Sequence, residues 1–393
     1  MRYLTCAFAA MTMMVNGANA QSVPCGGEFD TFVSELRAEA ERQGFAPQVA
    51  ADFLSGVRQD PDVLAADRRQ GIFQDPFITF SRKLISQSRL DRGREMADRY
   101  DAVFDEIERR YGISRGVLLA FWAFETDFGA VQGDYNTLNA LVTMAHDCRR
   151  PEIFRPQIFA ALALHERGDF DPDTTTGAWA GEIGQVQMLP KDILENGQDA
   201  DGDGRVTLKT SAPDALMSGA AMLSDLGWRH GEPWLQEVVL PEDFNWYDTG
   251  VHTTKTVAEW ERLGVRARNG RLDDGRLEAS IVIPQGRNGP AFIAYPNFKV
   301  FFEWNESFTY VLTAAYFATR LEGAPVYDAG DPAPGLSGEQ MKALQSKLAD
   351  RGYDVGGIDG ILGAGTRNSV REVQRELGLP ADAWPTPDLL NRL

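Results

Sequence analysis

The stretch Gly112-Ile113-Ser114-Arg115-Gly116-Val117-Leu118-Leu119-Ala120-Phe121-Trp122-Ala123-Phe124-Glu125-Thr126-Asp127-Phe128-Gly129 decides the fold class. It reads as a helix that is apolar on nearly every side, and such a helix is buried in a core. Ser114 stands where an N-cap belongs and Gly129 where such a helix stops. One carboxylate, Glu125, falls in the last turn. Poor solvent and the negative end of the helix dipole both disfavour its ionised form, as a general acid working near neutral pH requires. The other reading is a glutamate that leaves the core and meets water. Structural carboxylates are perturbed too, so spacing alone leaves both open.

Working outward, the chain has 393 residues, enough for two or three domains. Its net charge of -18 argues against nucleic acid or an anionic membrane surface as partner, since both need a basic face. Residues 1–20 read as a secretory signal. Arg2 begins it, Tyr3 to Val15 is apolar but too short to span a bilayer, and Ala18-Asn19-Ala20 is a cleavage site, giving a start near Gln21. No later segment reads as a membrane anchor. Cys6 leaves with the signal, and Ser22-Val23-Pro24 makes a poor lipidation context for Cys25. Cys25 and Cys148 remain; in an oxidising compartment they are expected to pair, the alternative being two separate buried thiols.

The fold class expected is mainly α with a small β subdomain (α+β). Helical spacing runs through residues 28–170, for example Phe29, Phe32, Val33 and Leu36. Runs rich in β-branched and aromatic residues at Glu237–Leu240, Ala279–Ile283 and Ala291–Tyr295 predict a small sheet. Helix returns over Phe308–Leu321. The Pro- and Gly-rich stretch from Gly323 to Gly335 marks a boundary. The division expected is a signal over 1–20, a main domain over 21–322, a linker over 323–336 and a compact unit over 337–393.

Two further blocks carry chemistry. In Trp179-Ala180-Gly181-Glu182-Ile183-Gly184-Gln185-Val186-Gln187-Met188-Leu189-Pro190, the glycines Gly181 and Gly184 allow a close backbone approach. Gln185 and Gln187 offer amides suited to sugar hydroxyls and acetamido groups; a plain Gly-rich turn with surface amides is the alternative. In Asp199-Ala200-Asp201-Gly202-Asp203-Gly204-Arg205-Val206, three aspartates alternate as in the first half of a calcium loop of EF-hand type. The Arg205 carbonyl would add a ligand. The closing glutamate is replaced by Thr210, so Asp214 is the candidate to close the site. A plain acidic turn competes with calcium, but three converging carboxylates repel one another without a cation. The four histidines show no zinc-protease spacing, and there is no nucleophile elbow or phosphate-binding loop. Asp127, two residues from Glu125, would not share its helix face.

These blocks, in this order, resemble the lytic murein transglycosylases of the membrane-bound lytic transglycosylase B family. Phe124-Glu125-Thr126-Asp127-Phe128-Gly129, Trp179-Ala180-Gly181 with Gly184-Gln185-Val186-Gln187, and Asp201-Gly202-Asp203-Gly204 carry the resemblance. Tyr295-Pro296-Asn297-Phe298 and Trp304-Asn305-Glu306-Ser307 with Tyr310 extend it over about residues 25–322. Asp147-Cys148-Arg149-Arg150 looks like the family variant with a cysteine there.

The resemblance implies a lysozyme-like core and non-hydrolytic cleavage of the β-1,4 bond from N-acetylmuramic acid to N-acetylglucosamine in peptidoglycan. It implies Glu125 as single acid and base, a 1,6-anhydro product, and no cofactor for the chemistry beside a structural calcium. Gln187 and Tyr310 match substrate-contacting positions; Gly181, Gln185 and Trp304 complete the expected cleft. The chain departs from the family pattern at Ala178, Glu182, Lys191, Asp192 and Trp304. Residues 337–393 resemble the common peptidoglycan-binding domain, through Leu344–Leu348, Gly352-Tyr353, Gly357–Gly363 and Leu377-Gly378-Leu379. Leu344 and Leu348 would face Val370, Val373 and Leu377, with Thr366 as one helix cap and Thr386-Pro387 opening the last helix. Peptidoglycan strands are the partner implied, and the periplasm of a Gram-negative bacterium the compartment. A hydrolytic muramidase, a non-catalytic peptidoglycan-binding scaffold and a calcium sensor are the competing readings.

Overall fold

A computed structural model describes residues 23–69 and 75–393. The expected signal, with Cys6 and the start near Gln21, lies outside the described residues. The fold is mainly helical with a small antiparallel sheet. Two compact units divide it: one takes the described residues up to 71 with 95–111 and 121–225, the other the described part of 72–94 with 112–120 and 226–393. No helix among the described residues is long and apolar enough to cross a membrane.

In the first unit, the helices Thr137–His146 and Pro151–Arg167 pack together through mostly apolar faces that also bury Asn139, Arg155 and Gln157. Asn136 caps the first of them by accepting the Asn139 N–H, and Gly168, in the left-handed region, ends the second. Pro190–Asn196 and Ala212–Asp225 pack beyond them. A short ladder joins Tyr135–Asn136 to Thr176–Gly177. Cys25 is bonded to Cys148, with their Cα atoms 5.2 Å apart. The Arg155 guanidinium pairs with Glu39 and donates to the Pro24 carbonyl, holding the same N-terminal segment.

In the second unit, a five-stranded antiparallel sheet runs in the order Lys255–Thr256, Glu278–Val282, Phe292–Ala294, Leu235–Val239, Arg266–Ala267. Its three longer strands fall on the runs that the sequence marked. Val238, Trp260, Ile281 and Ile293 form its core. The helices Pro296–Trp304 and Phe308–Leu321 follow, the second opened by the Ser307 hydroxyl.

The three helices of the C-terminal part are Gly338–Asp350, Ala364–Glu376 and Pro387–Arg392. Met341, Leu344, Leu348, Val370, Val373 and Leu389 fill its core. Leu377 is 41% exposed and stays out of it, and Gly363 rather than Thr366 precedes the middle helix. Thr366 lies one turn inside, where its hydroxyl donates to the Val355 carbonyl and accepts from Gln345 Nε2. Thr386 caps the last helix and Pro387 occupies its first turn. The Pro-rich stretch before this part is not free chain: Tyr327 is buried against Ser81, and Trp384 Nε1 donates to the Ala333 carbonyl. Arg367 lies over the Phe308 ring and donates to the Pro284 carbonyl, and burial pushes its guanidinium down to about 10.

Candidate active site

Glu125 lies in the last turn of Arg115–Thr126, partly exposed between buried Phe124 and buried Thr126. Ser114 precedes this helix and shares its N-terminal end with a carboxylate far along the chain. Its hydroxyl donates to Glu322, whose carboxylate accepts the Gly116 N–H at 2.8 Å. A distant carboxylate thus supplies the negative group that a helix N-terminus favours. At the other end the helix stops three residues short of Gly129. Asp127, Phe128 and Gly129 all adopt positive φ (52°, 60° and 82°), and Phe128 N–H reaches back to the Trp122 carbonyl. Two non-glycine residues in this region are a strained turn held by its surroundings.

What holds it is the Trp179–Pro190 block. Trp122 Nε1 donates to Gln185 Oε1 at 3.1 Å, and the Thr126 hydroxyl donates to the Gln185 carbonyl at 2.6 Å. The same hydroxyl accepts the Gly129 N–H, tying the turn to the block. Ile183 and Met188 exchange backbone hydrogen bonds, closing the block into a tight loop. Gln187, at φ 55°, donates through Nε2 to the carbonyls of Gly184 and Gln132. The close approaches allowed by the glycines are to the protein itself. A Cβ on Gly181 would strike the Leu141 side chain at 2.3 Å, and one on Gly184 the Leu208 backbone at 2.6 Å.

The loop also carries Glu182, one of the positions at which the chain departs from the family pattern. Glu182 is only 4% exposed, and its Oε2 has no hydrogen-bond partner. Burial, with the Glu125 charge adding to it, pushes the Glu182 carboxyl up to about 7; the Arg150 charge pulls the other way. A charged residue set between Gly181 and Ile183-Gly184, in a block otherwise apolar or amide-bearing, was the available signal.

Trp304 and Tyr310 belong to the second unit, at the end of Pro296–Trp304 and near the start of Phe308–Leu321. Each is 1% exposed. The Trp304 ring therefore has no face open to solvent, although the resemblance counts it among the cleft residues; both side chains are buried.

The acidic loop does converge. Asp199, Asp201 and Asp203 are exposed and bring carboxylate oxygens within 4.8 Å of one another. Asp199 accepts the N–H groups of Gly202, Asp203 and Gly204, which folds the loop around it. The Arg205 N–H donates to Asp203, while its guanidinium turns to the Gly168 carbonyl. Asp214 does not join the three. It is fully buried, and its two oxygens accept N–H groups from Ala200, Asp201 and Thr207. It braces the loop from behind. Three oxygens of hard character, open to solvent, form a donor set that fits a calcium ion.

The chain thus sets a buried helix ending in one carboxylate against a clamping, glutamine-bearing loop. It matches the transglycosylase SLT domain over residues 28–319 and the peptidoglycan binding domain over residues 337–393. The chain belongs to the transglycosylase SLT family, a family of lytic murein transglycosylase enzymes. SltB3 from Pseudomonas aeruginosa, solved in complex with NAG-anhNAM-pentapeptide, is 34% identical with a TM-score of 0.85, over 93% of this chain and 99% of that one. SltB1 from the same organism is 25% identical with a TM-score of 0.65, over 74% and 99%. Escherichia coli Slt35, solved in complex with calcium, shares the fold at 21% identity and a TM-score of 0.63, over 77% and 97%. Membrane-bound lytic murein transglycosylase B of Escherichia coli (strain K12) is 26% identical over 157 residues, 40% of this chain. That match spans 43% of the curated relative's length, well under two thirds.

Proposed function

We propose that this chain is a lytic transglycosylase that cuts the β-1,4 bond between N-acetylmuramic acid and N-acetylglucosamine in peptidoglycan, with Glu125 as its acid and base. The observation that carries the reading is the placement of Glu125: a carboxylate on the last turn of a buried helix, beside the clamped Gln185–Gln187 loop. Glu125 would donate its proton to the leaving oxygen while the muramoyl acetamido group supports the sugar cation from within the substrate. The resulting carboxylate would then take the proton of the C6 hydroxyl, whose oxygen closes the 1,6-anhydro ring. One group serves both proton transfers, so no second carboxylate is needed as nucleophile or base. SltB3, similar along nearly the whole chain, was solved with an anhydro muropeptide, which supports the same product class here.

Within the loop, Gln185 Nε2 and Gln187 Oε1 are the amide ends that the clamp does not use, and we assign them to the sugar. Asp199, Asp201 and Asp203 would hold one calcium ion as a structural staple, remote from the proton transfers. The domain division is proposed as a catalytic part over 21–322, a strap over 323–336 and a peptidoglycan-binding part over 337–393. An export signal over 1–20 and a wall substrate together favour the periplasm.

Mass spectrometry of digested sacculi tests the reaction. Anhydro ends, one water lighter than reducing ends, are expected from the wild type and none from Glu125→Gln. Reducing ends alone would make the enzyme a hydrolytic muramidase.

A further inference from the structure

The C-terminal part spends one flank of its middle helix, Ala364–Glu376, on the rest of the second unit. Arg367 donates to the Pro284 carbonyl at 3.1 Å and lies over the Phe308 ring. Arg371, one turn on, sits so close to Gly250 that a Cβ there would meet its Nη2 at 2.6 Å. Another flank of the same helix carries the loop of residues 354–363. The Thr366 hydroxyl donates to the Val355 carbonyl, and the Ser369 hydroxyl to the Asp354 carbonyl. At about 100° per residue the two flanks lie roughly 150° apart. The loop therefore stands on the side away from the docked face.

The loop is held from inside. Gln345 is 1% exposed; its Nε2 donates to Asp359 Oδ1, the Ile361 carbonyl and the Thr366 hydroxyl, and its Oε1 accepts the Gly360 N–H at 2.8 Å. Asp359 also accepts the Ile361 N–H. On this frame Ile358 is 54% exposed. A lone apolar residue on a surface is ordinary. This one is displayed by a loop that a buried amide pins at the three residues following it, and it lies beside open peptide groups. Among the described residues no hydrogen bond within the chain uses the N–H or the carbonyl of Gly357 or Ile358. An aliphatic side chain next to unused donors and acceptors suits a ligand with apolar and polar faces side by side. Charge narrows that ligand. Residues 352–366 contain no lysine or arginine, and their charged groups are Asp354 and Asp359. Carboxylate-bearing peptides are repelled there, whereas uncharged acetamido sugars are not.

We propose that the loop of residues 354–363, led by Ile358, is the surface through which the C-terminal part holds the wall, and that its ligand is the glycan strand, not the peptides attached to it. Acetamido methyl groups and sugar C–H faces would pack on Ile358, while hydroxyl and amide groups take the free peptide units of Gly357 and Ile358. The inference deepens the assignment of residues 337–393 to peptidoglycan binding and rests on it.

Sedimentation of the full chain with intact sacculi and with peptide-free glycan strands tests it. The parent and every variant carry Glu125→Gln, so that neither polymer is digested. Ile358→Ser should weaken binding to both polymers by about five- to tenfold, the size expected when one apolar side chain is removed from a contact. Leu377→Ser alters the other large apolar residue exposed in the helices of the C-terminal part and should change neither. Equal binding by Ile358→Ser and its parent overturns the surface. A loss on sacculi with none on peptide-free strands overturns the glycan as ligand. Should Ile358→Ser fail to fold, Ile358→Thr takes its place, since it keeps the branched Cβ, and a thermal midpoint equal to the parent's shows the loop frame intact. No binding of the parent to either polymer would overturn the wider assignment of residues 337–393 together with the surface.

Discussion

Two loops of the first unit, Trp179–Pro190 and Asp199–Arg205, are rich in glycine and bear carboxylates, yet they are opposite in kind. In the first, the glycines press backbone against the core, and the single carboxyl group, Glu182, is sealed from water. In the second, Gly202 and Gly204 have nothing within 4 Å of a Cβ position, and three carboxylates stand in solvent. The difference teaches that solvent, rather than residue type, sets what a carboxylate can do. A sealed one keeps its own proton to higher pH; exposed ones can gather a cation from bulk water.

The largest expected effect lies beside the sealed loop. Glu125→Gln should lower sacculus clearing by about 10³-fold, within the range for loss of a general acid, while binding to sacculi in a pull-down persists. A variant that clears like wild type would detach the sealed loop from catalysis altogether.

The matched glycines sharpen the contrast next. Gly184→Ala places a Cβ into the Leu208 backbone at a φ of 81° and should cost about 3 kcal/mol or more in urea unfolding. Gly204→Ala, at φ 90° with open space around it, should cost about 1 kcal/mol. Equal costs would erase the distinction.

Acidity should then separate the loops through stability. The Glu182 carboxyl is raised from 4.5 to about 7, so below 4.5 it is protonated in both folded and unfolded chains and adds no penalty. As pH rises toward 7 the unfolded chain ionises first, and the folded state loses about 3 kcal/mol relative to it. Urea midpoints of Glu182→Gln should lack that decline between pH 5 and pH 8. Asp203→Ala should instead leave this pH dependence intact. It should abolish the calcium-induced rise in stability, which is about 2.7 kcal/mol for calcium at a hundredfold excess over its Kd. Calcium titration followed by thermal unfolding measures it.

Much of this architecture was legible because it rests on local periodicity. The runs near Glu237, Ala279 and Ala291 became strands, and Phe308–Leu321 became a helix with the bounds that the pattern suggests. Thr386-Pro387 opened a helix because cap and first-turn proline act within one turn. What failed depended on contacts far along the chain. Thr366 resembles a cap, but Gly363 begins the helix and the Thr366 hydroxyl bridges Val355 and Gln345. Ser114 looked sufficient, but Glu322, more than 200 residues away, shares the helix end. Trp304 carries an aromatic face suited to sugars, but its closure to solvent is set by tertiary packing. Of the candidate site, Glu125 and the three converging aspartates were marked by residue type and spacing. The burial of Glu182 was not: its apolar neighbours single the residue out, but only tertiary packing seals its carboxyl group from water.

The turn after Glu125 also limits how this sequence can drift. Asp127 and Phe128 both sit at positive φ, where glycine rests easily, asparagine is tolerated, and valine, isoleucine and threonine are strongly disfavoured. Codon changes that look conservative for Phe128, to isoleucine or valine, are therefore among the least acceptable, whereas an aspartate-to-asparagine change at 127 costs the backbone little. The motif that carries Glu125 is thus constrained by the shape of its main chain, apart from any chemistry its side chains perform.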